Sequence, residues 1–322
     1  MKIITLEQIR SHLDIDAAIL MQEEGFKLYS QHKAVIPPVG YLKIPHTPVS
    51  YHIKYGVIDC DDVFVVKFVG GLEYSSKKFG QSCLHGMSLV FSALTGEPLY
   101  YLQDHGYLTQ LRTALAGCIV AKYLAPNHVR AIGIIGTGEQ SYLQATYLSH
   151  VTPCRNIVLW GRNKEKCLQY QNSMVAQGYS VEIVATPRDV AKKCNLIVTT
   201  TASREPLLMK DDIQHGTHIT ALGADAPEKQ EFDPNLVAIA DTLVVDSISQ
   251  CSDHGEISHA LRAGLIEACN LIELGTIIED SSPHRPYKRD EHGITIADLT
   301  GIAVQDIMIA KTILQDFEKL HQ

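Results

Sequence analysis

Along the second half of the chain, short apolar runs alternate with stretches whose apolar residues recur every three or four positions. The runs Ala131–Ile135, Asn156–Trp160, Val181–Val184, Leu196–Thr200, His218–Leu222, Leu243–Val245 and Ile294–Ala297 predict strands buried on both faces. Helical spacing falls between most of them, as in Glu139–Ser149 with Tyr142, Ala145, Tyr147 and Leu148. Such alternation predicts right-handed crossovers and a mostly parallel sheet covered on both sides. The first half reads differently. Leu13, Ala17, Ala18, Leu20 and Met21 share one face of a helix over Ile15–Ser30, in a mostly helical first forty residues, and Pro37-Pro38 forces Val35–Gly40 to be extended. Tyr51–Tyr55, Val63–Val69, Met87–Ser92 and Leu99–Gln103 then predict strands of a mainly antiparallel sheet, with Gly70-Gly71, Gly80 and Gly96-Glu97-Pro98 as its turns. An alanine-rich helix over Leu111–Leu124 ends before Pro126. A last helix over Val304–Leu320 is amphipathic through Ile307, Ile309, Ala310, Ile313, Leu314 and Phe317.

Composition narrows the classes. A chain of 322 residues, 45% hydrophobic and 20% charged, can bury a large core and form two domains. A net charge of −8 argues against a nucleic-acid surface. No apolar run approaches the length of a membrane span, and the amino terminus has no signal-like segment, so no membrane partner and a cytoplasmic location are expected. The 8 cysteines are scattered, as expected of reduced thiols, and the 15 histidines form no ligand motif, so no metal is expected.

The strongest chemical signal is Val129–Ser141, V-R-A-I-G-I-I-G-T-G-E-Q-S. A strand, then Gly136, Thr137 and Gly138, then a helix opening at Glu139 and Gln140, places unpartnered amides at a helix N-terminus. That arrangement suits a pyrophosphate. Ser141 replaces the third glycine of the usual fingerprint, and a small residue there still allows close packing. The alternative is an ordinary strand-to-helix turn. The second strand of such folds commonly ends in an acid that takes a ribose hydroxyl. Here Gly161 and Arg162 stand at that end, which favours NADP(H), with NAD(H) as the alternative. Arg162 could equally be a solvated residue opening the next helix. Thr199, Thr200, Thr201, Ala202 and Ser203 close the fourth strand with small, mostly hydroxyl residues that let a nicotinamide ribose pass, or cap a turn. The expected fold is therefore α/β: a Rossmann-type doubly wound parallel sheet over 120–302, with a second α+β domain from 1–119 and 303–322.

Five segments, taken in order, resemble the ornithine cyclodeaminase/mu-crystallin family. They are Leu108–Ala114, Gly133–Gln140, Gly216–Glu231, Gly255-Glu256 and Asp298–Asp306. The resemblance implies a homodimer whose dinucleotide domain is joined to a dimerisation and substrate domain. It implies an NAD(P)(H)-dependent enzyme acting by hydride transfer at the Cα–N bond of a small amino acid or cyclic imine. Ornithine cyclodeamination, alanine or other amino-acid dehydrogenation and ketimine reduction are the activities it offers. A binding protein that has lost turnover is the alternative. Lys67 falls at the family's active-site lysine, Arg112 at an arginine that contacts substrate carboxylate or cofactor, and Asp225 at the catalytic aspartate. The resemblance also implies cofactor contacts at Ser82, Lys229, Leu299 and Thr300.

The residues themselves support parts of this. A lysine at the end of an otherwise apolar strand is costly to bury unless an anion meets it, although Lys67 could also snorkel to the surface. Arg112 offers a planar fork suited to carboxylates, or it is a salt-bridged surface residue. Asp225 follows a strand at the crevice end of the sheet, or it caps the turn before Pro227. Two departures from the family's pattern stand out. Pro37-Pro38 is followed by Val39 where many members have an arginine, and Lys54 stands where the cyclodeaminases have a glutamate. A lysine there would repel a diamine's second ammonium. Lys54, Lys67 and Arg112 together favour an anionic or dicarboxylic substrate.

Overall fold

In a computed structural model of the chain, the described residues are 1–47, 49–72, 84–281 and 288–319. They form two compact units: Met1–Arg112 with Ile302–Gln322, and Thr113–Gly301. The seam falls inside the helix Tyr107–Leu124.

The first unit is built on seven strands, β1 (Lys2–Thr5), β2 (Ala34–Val35), β3 (Gly40–Lys43), β4 (Val49–Ile58), β5 (Val63–Leu72), β6 (Leu84–Ser92) and β7 (Pro98–Gln103). They lie in the order β1-β7-β6-β5-β4-β2, with β3 also paired to β4. All pairs are antiparallel except β1 with β7. The period-two rule of a strand decides what β5 offers its core: Val63, Val65, Lys67 and Val69 are buried and the residues between them are not. β4 buries Lys54, Gly56 and Ile58 in the same way, and Lys54 lies opposite Lys67 in the ladder. That face packs on the helix Ala303–Lys319, which meets both strands. Ile307, Ile309, Ala310, Ile313, Leu314 and Phe317 are buried as expected, but so are Gln305, Asp306, Met308 and Thr312, so the first half of this helix is enclosed on all sides instead of presenting one apolar stripe.

Several expectations need correcting here. Lys2–Thr5 is an edge strand parallel to β7; with only Ile4 buried, its four residues carry no periodic signal. Gly70-Gly71 is not a turn but lies inside β5. A Cβ at Gly70 would sit 2.1 Å from the Ser50 carbonyl oxygen, so glycine answers a close approach of β4. Lys67 is thus mid-strand, not at a strand end. The helix Ile15–Ser30 forms as expected, but its buried residues are Ala18, Gln22, Glu23, Gly25 and Phe26, and Leu20 is 64% exposed. Gln22 is drawn inward because its side-chain amide donates to the Gln305 carbonyl at 2.8 Å. Gly80 lies outside the described residues.

The second unit is a doubly wound sheet of eight strands: β8 (Ile132–Ile135), β9 (Asn156–Trp160), β10 (Ser180–Ile183), β11 (Leu196–Thr199), β12 (His218–Ala221), β13 (Thr242–Val245), β14 (Leu271–Glu273) and β15 (Thr295–Asp298). Their order is β10-β9-β8-β11-β12-β15-β13-β14, and every pair is parallel. β8, β11, β12 and β15 are buried at every position, as helices on both faces require. Separate apolar clusters fill those two faces. The chain leaves β8 toward β9 and β10, then returns to β11 on the other side of β8. That reversal opens a crevice at the carboxyl ends of β8 and β11, where such sheets bind nucleotides. β14 was not anticipated; it is a three-residue edge strand.

Candidate functional site

A cavity of about 300 Å³ lies at that crevice in the second unit. Its floor is the turn Gly136-Thr137-Gly138, one wall is Trp160–Asn163 with Lys166, and the other is Thr200–Ser203 with Leu207. Gly136 has φ +127°, and a Cβ there would meet the Thr200 hydroxyl at 2.5 Å, so backbone alone fits. Gly138 caps the helix Glu139–Tyr147 without any side-chain hydrogen bond, leaving the first-turn amides for an anion. Ser141 is fully buried. Its hydroxyl donates to the Gly138 carbonyl at 2.6 Å, tightening the turn.

The same packing settles what the second strand can present. A Cβ at Gly161 would lie 2.6 Å from Thr137 Cγ2 and 3.0 Å from Cys167 Sγ. No acidic side chain fits at that position. Arg162 and Lys166 stand beside it, and Asn163 caps the helix Lys164–Ala176 by accepting the Lys166 N–H. These residues fit a dinucleotide, and Arg162 and Lys166 add two cations to that wall.

The cavity gathers Gly136, Thr137, Gly138, Gly161, Arg162, Thr200 and Thr201 from the expected cofactor residues. Ala202 and Ser203 join them from the same strand end, and Trp160, Asn163, Lys166 and Leu207 join without having been singled out. Glu139 and Gln140 form the first turn of the helix beyond and do not line it. Leu299 and Thr300 also lie elsewhere. The Leu299 N–H donates to the Ala221 carbonyl, and the Thr300 hydroxyl donates to Asp246 at 3.2 Å. Lys229 is ion-paired to Asp225. Ser82 lies outside the described residues.

The first unit holds a charged cluster. Lys67 and Asp306 are both 3% exposed and joined at 2.6 Å. The Arg112 guanidinium places Nε 3.3 Å from the same Asp306 oxygen but in poor alignment, so that Nε has no hydrogen-bond partner, and neither has the second Asp306 oxygen. Arg112 is held by Gln305, which accepts from its Nη1 at 3.0 Å and donates to its carbonyl at 3.3 Å. Lys54 is buried alongside. Lys54, Lys67 and Arg112 thus lie around Asp306, and a second buried carboxylate, Asp104, stands near enough to feel the charge of Lys67 and of Asp306. Burial pulls the Lys67 amine down to about 7, Asp306 opposes that, and Arg112 and Lys54 add to it. Burial works against the Asp306 carboxylate too, but Lys67, Arg112 and Lys54 hold it below its ordinary range. Arg112 thus belongs to the first unit's cluster. Asp306 fell within a quoted segment with no role attached; helical spacing could not show which strand it faces.

Asp225 sits in the second unit on the loop after β12, with 54% of its side chain exposed and Lys229 as its partner. Three acids beneath that loop fell within the segments that carry the resemblance, with no role attached to them. Glu231, Glu256 and Asp298 are at most 1% exposed, and burial raises all three, Glu231 to about 7. Among the described residues, no His, Cys, Asp or Glu group is arranged to hold a metal ion, and seven cysteines are free thiols. No described helix is long and apolar enough to cross a membrane.

Comparison with known proteins agrees with this geometry. An uncharacterised cyclodeaminase of Sinorhizobium fredii is 34% identical, the match covering 99% of this chain and 96% of that one. The iminosuccinate reductase of Paracoccus denitrificans is 30% identical over 98% of this chain and 96% of its own. Its crystal structure with NAD+ superposes with a TM-score of 0.89, covering 100% of this chain and 97% of that one at 29% identity. An archaeal alanine dehydrogenase dimer with bound NAD superposes equally well, with TM-score 0.89, 29% identity and the same coverage. The model of the ornithine cyclodeaminase/mu-crystallin family matches residues 2–320. The chain belongs to that family.

Proposed function

We propose that this protein is an NADP(H)-dependent oxidoreductase of an amino acid or its imine, and that its substrate carries a second anionic group. The observation that carries this reading is the first unit's cluster: Lys54, Lys67 and Arg112 are buried around Asp306, and the Arg112 Nε among them has no hydrogen-bond partner. A buried donor without an acceptor is costly, and a substrate carboxylate would offset that cost, with Lys54 and Lys67 adding positive charge for a second acid. A relative that reduces iminosuccinate supports the same class. Ornithine fits less well, because Lys54 would face its second ammonium.

Each residue then has a defined task. Lys67 and Arg112 bind the α-carboxylate, with the unpartnered Arg112 Nε as a donor, and Lys54 binds the second acid. Asp225 holds or accepts the proton on the α-nitrogen while Cα changes oxidation state. Gly136–Gly138 hold the pyrophosphate, and Arg162 and Lys166 favour a 2′-phosphate. A bound nicotinamide supplies or accepts the hydride. Orientation by these contacts removes much of the entropic barrier. A homodimer, as in the archaeal alanine dehydrogenase, and a reducing, cytoplasmic setting for the free thiols complete the reading.

The test is a product-resolved mass-spectrometric panel with NADH and NADPH. It should include iminosuccinate and aspartate, pyrroline-2-carboxylate, alanine and ornithine. The acidic pair should be preferred in kcat/KM by about tenfold or more, the scale of one charge-assisted contact. Lys54→Ala should abolish that preference. Preferred turnover of ornithine, or better turnover of acidic substrates by Lys54→Glu, would refute the assignment.

A further inference from the structure

We propose that Glu231 is a positioning residue that fixes the loop carrying Asp225 to the Thr200–Ser203 wall of the nucleotide cavity. This rests on the reading of Asp225 as the proton-handling group.

Glu231 is fully buried, yet among the described residues no cation forms an ion pair with it. Its partners are donors from two strand ends. Oε1 accepts the Thr201 N–H at 2.7 Å. Oε2 accepts the Thr199 hydroxyl at 2.7 Å and the Gly223 N–H at 3.1 Å. Thr199 ends β11, Thr201 lines the cavity, and Gly223 lies two residues before Asp225. One carboxylate therefore ties the cavity wall to the root of the catalytic loop. The approach is close, since a Cβ at Gly223 would come within 2.1 Å of the Thr201 carbonyl oxygen and 2.4 Å of Oε2.

The far limb of the loop returns to the same wall. The Gln230 N–H donates to the Ser203 carbonyl at 2.8 Å, and the Glu231 carbonyl accepts the Leu207 N–H at 2.7 Å. His259 Nε2 pairs with the Lys229 carbonyl at 2.8 Å. Glu231 is itself anchored from below. Glu256 accepts the N–H groups of Glu231 and Phe232 at 2.7 and 2.9 Å. The helix carrying Glu256 is tied in turn to Asp298, whose Oδ2 accepts the Ile257 N–H at 2.9 Å. Asp298, Glu256 and Glu231 thus form three successive buried anchors, each gripping the backbone that carries the next.

Only a carboxylate satisfies all three donors at once. An amide turned either way directs its NH2 at the Thr201 N–H or the Gly223 N–H, and that backbone donor loses its acceptor, a loss felt in full when buried. Glu231→Gln therefore keeps the size and releases one side of the link.

The experiment compares Glu231→Gln, Asp225→Asn and the double variant in full-length protein, measuring steady-state rates and nucleotide affinity by calorimetry. Glu231→Gln should lower kcat by about tenfold to a hundredfold, the range a displacement near 1 Å produces, while one nucleotide still binds per chain. The double variant should fall within about threefold of Asp225→Asn alone, because both remove the same contribution. Losses that multiply would overturn the proposal while leaving the role of Asp225 intact. An Asp225→Asn protein of full activity would overturn both. Should Glu231→Gln fail to fold, Thr199→Val removes one donor from the same carboxylate. It should show a smaller loss of kcat, again absent on the Asp225→Asn background; a loss that persists there would also overturn the proposal.

Discussion

Lys67 sets the pH behaviour to be expected of this protein. Its amine ionises near 7 because it is buried, and Asp306 only partly restores it. As an anion-binding group it works only when charged, so kcat/KM for a carboxylate substrate should fall as pH rises through about 7. Lys67→Arg, charged at any accessible pH, should move that fall to higher pH; a pH–rate profile checks it. At the cavity, replacing both Arg162 and Lys166 by alanine should weaken NADPH about tenfold or more and NADH only slightly, in line with charge-assisted phosphate contacts. Isothermal titration with both nucleotides measures this. Lys67 also marks how far the sequence could be read. An isolated lysine in an apolar strand does not say whether it is buried or snorkels, and only the phase of β5 places it inward with Val65 and Val69. Lys166, Asp306 and Glu231 carried no signal of their own, since each matters through a neighbour that is distant in the sequence or across a helical turn.

Among elements, the turn between β8 and the helix Glu139–Tyr147 does most to form the cavity. Gly136→Ala combines a φ of +127° with a 2.5 Å approach to the Thr200 hydroxyl. Strain of about 1–3 kcal/mol should weaken nucleotide binding by about tenfold or more. Gly161→Asp, the exchange that would otherwise invite NAD(H), should weaken both nucleotides, because its side chain must displace Thr137 and Cys167. Calorimetry on each variant decides. This turn was legible because a strand, two glycines and a helix follow one another within a dozen residues. The buried parallel strands were legible for a similar reason: four or more apolar residues in a row have few other uses. β1 and β14 were not, being too short for any period to register. Gly70-Gly71 was misread because a glycine answering a neighbouring strand and a glycine making a turn look alike in one dimension.

For the molecule as a whole, the first unit is closed by the chain's last helix, which delivers Asp306 to a cluster contributed by residues 54 to 112. Asp306→Asn would take from Lys67 and Arg112 the buried carboxylate that they share. Breaking such a pair typically costs about 3–5 kcal/mol, which denaturant titration would show. The loss should shrink as pH rises toward about 7 and then level off: Asp306 holds the Lys67 amine up at about 7, so the variant's lysine gives up its proton at lower pH, and the difference closes once both are neutral. Union of the two chain ends was legible only through the family resemblance, since the last helix's stripe says that it packs and not against what.

The 322 residues include a single tryptophan, and it lines the nucleotide cavity, its indole N–H fixed to the Ala185 carbonyl at 3.1 Å. The protein therefore carries a built-in optical reporter. Ultraviolet emission of the unlabelled chain arises chiefly beside the bound dinucleotide, and reduced nicotinamide absorbs where indole emits. Titration with NADPH should quench that emission and sensitise the blue fluorescence of the coenzyme, with no engineered probe needed to follow occupancy in any variant that retains Trp160.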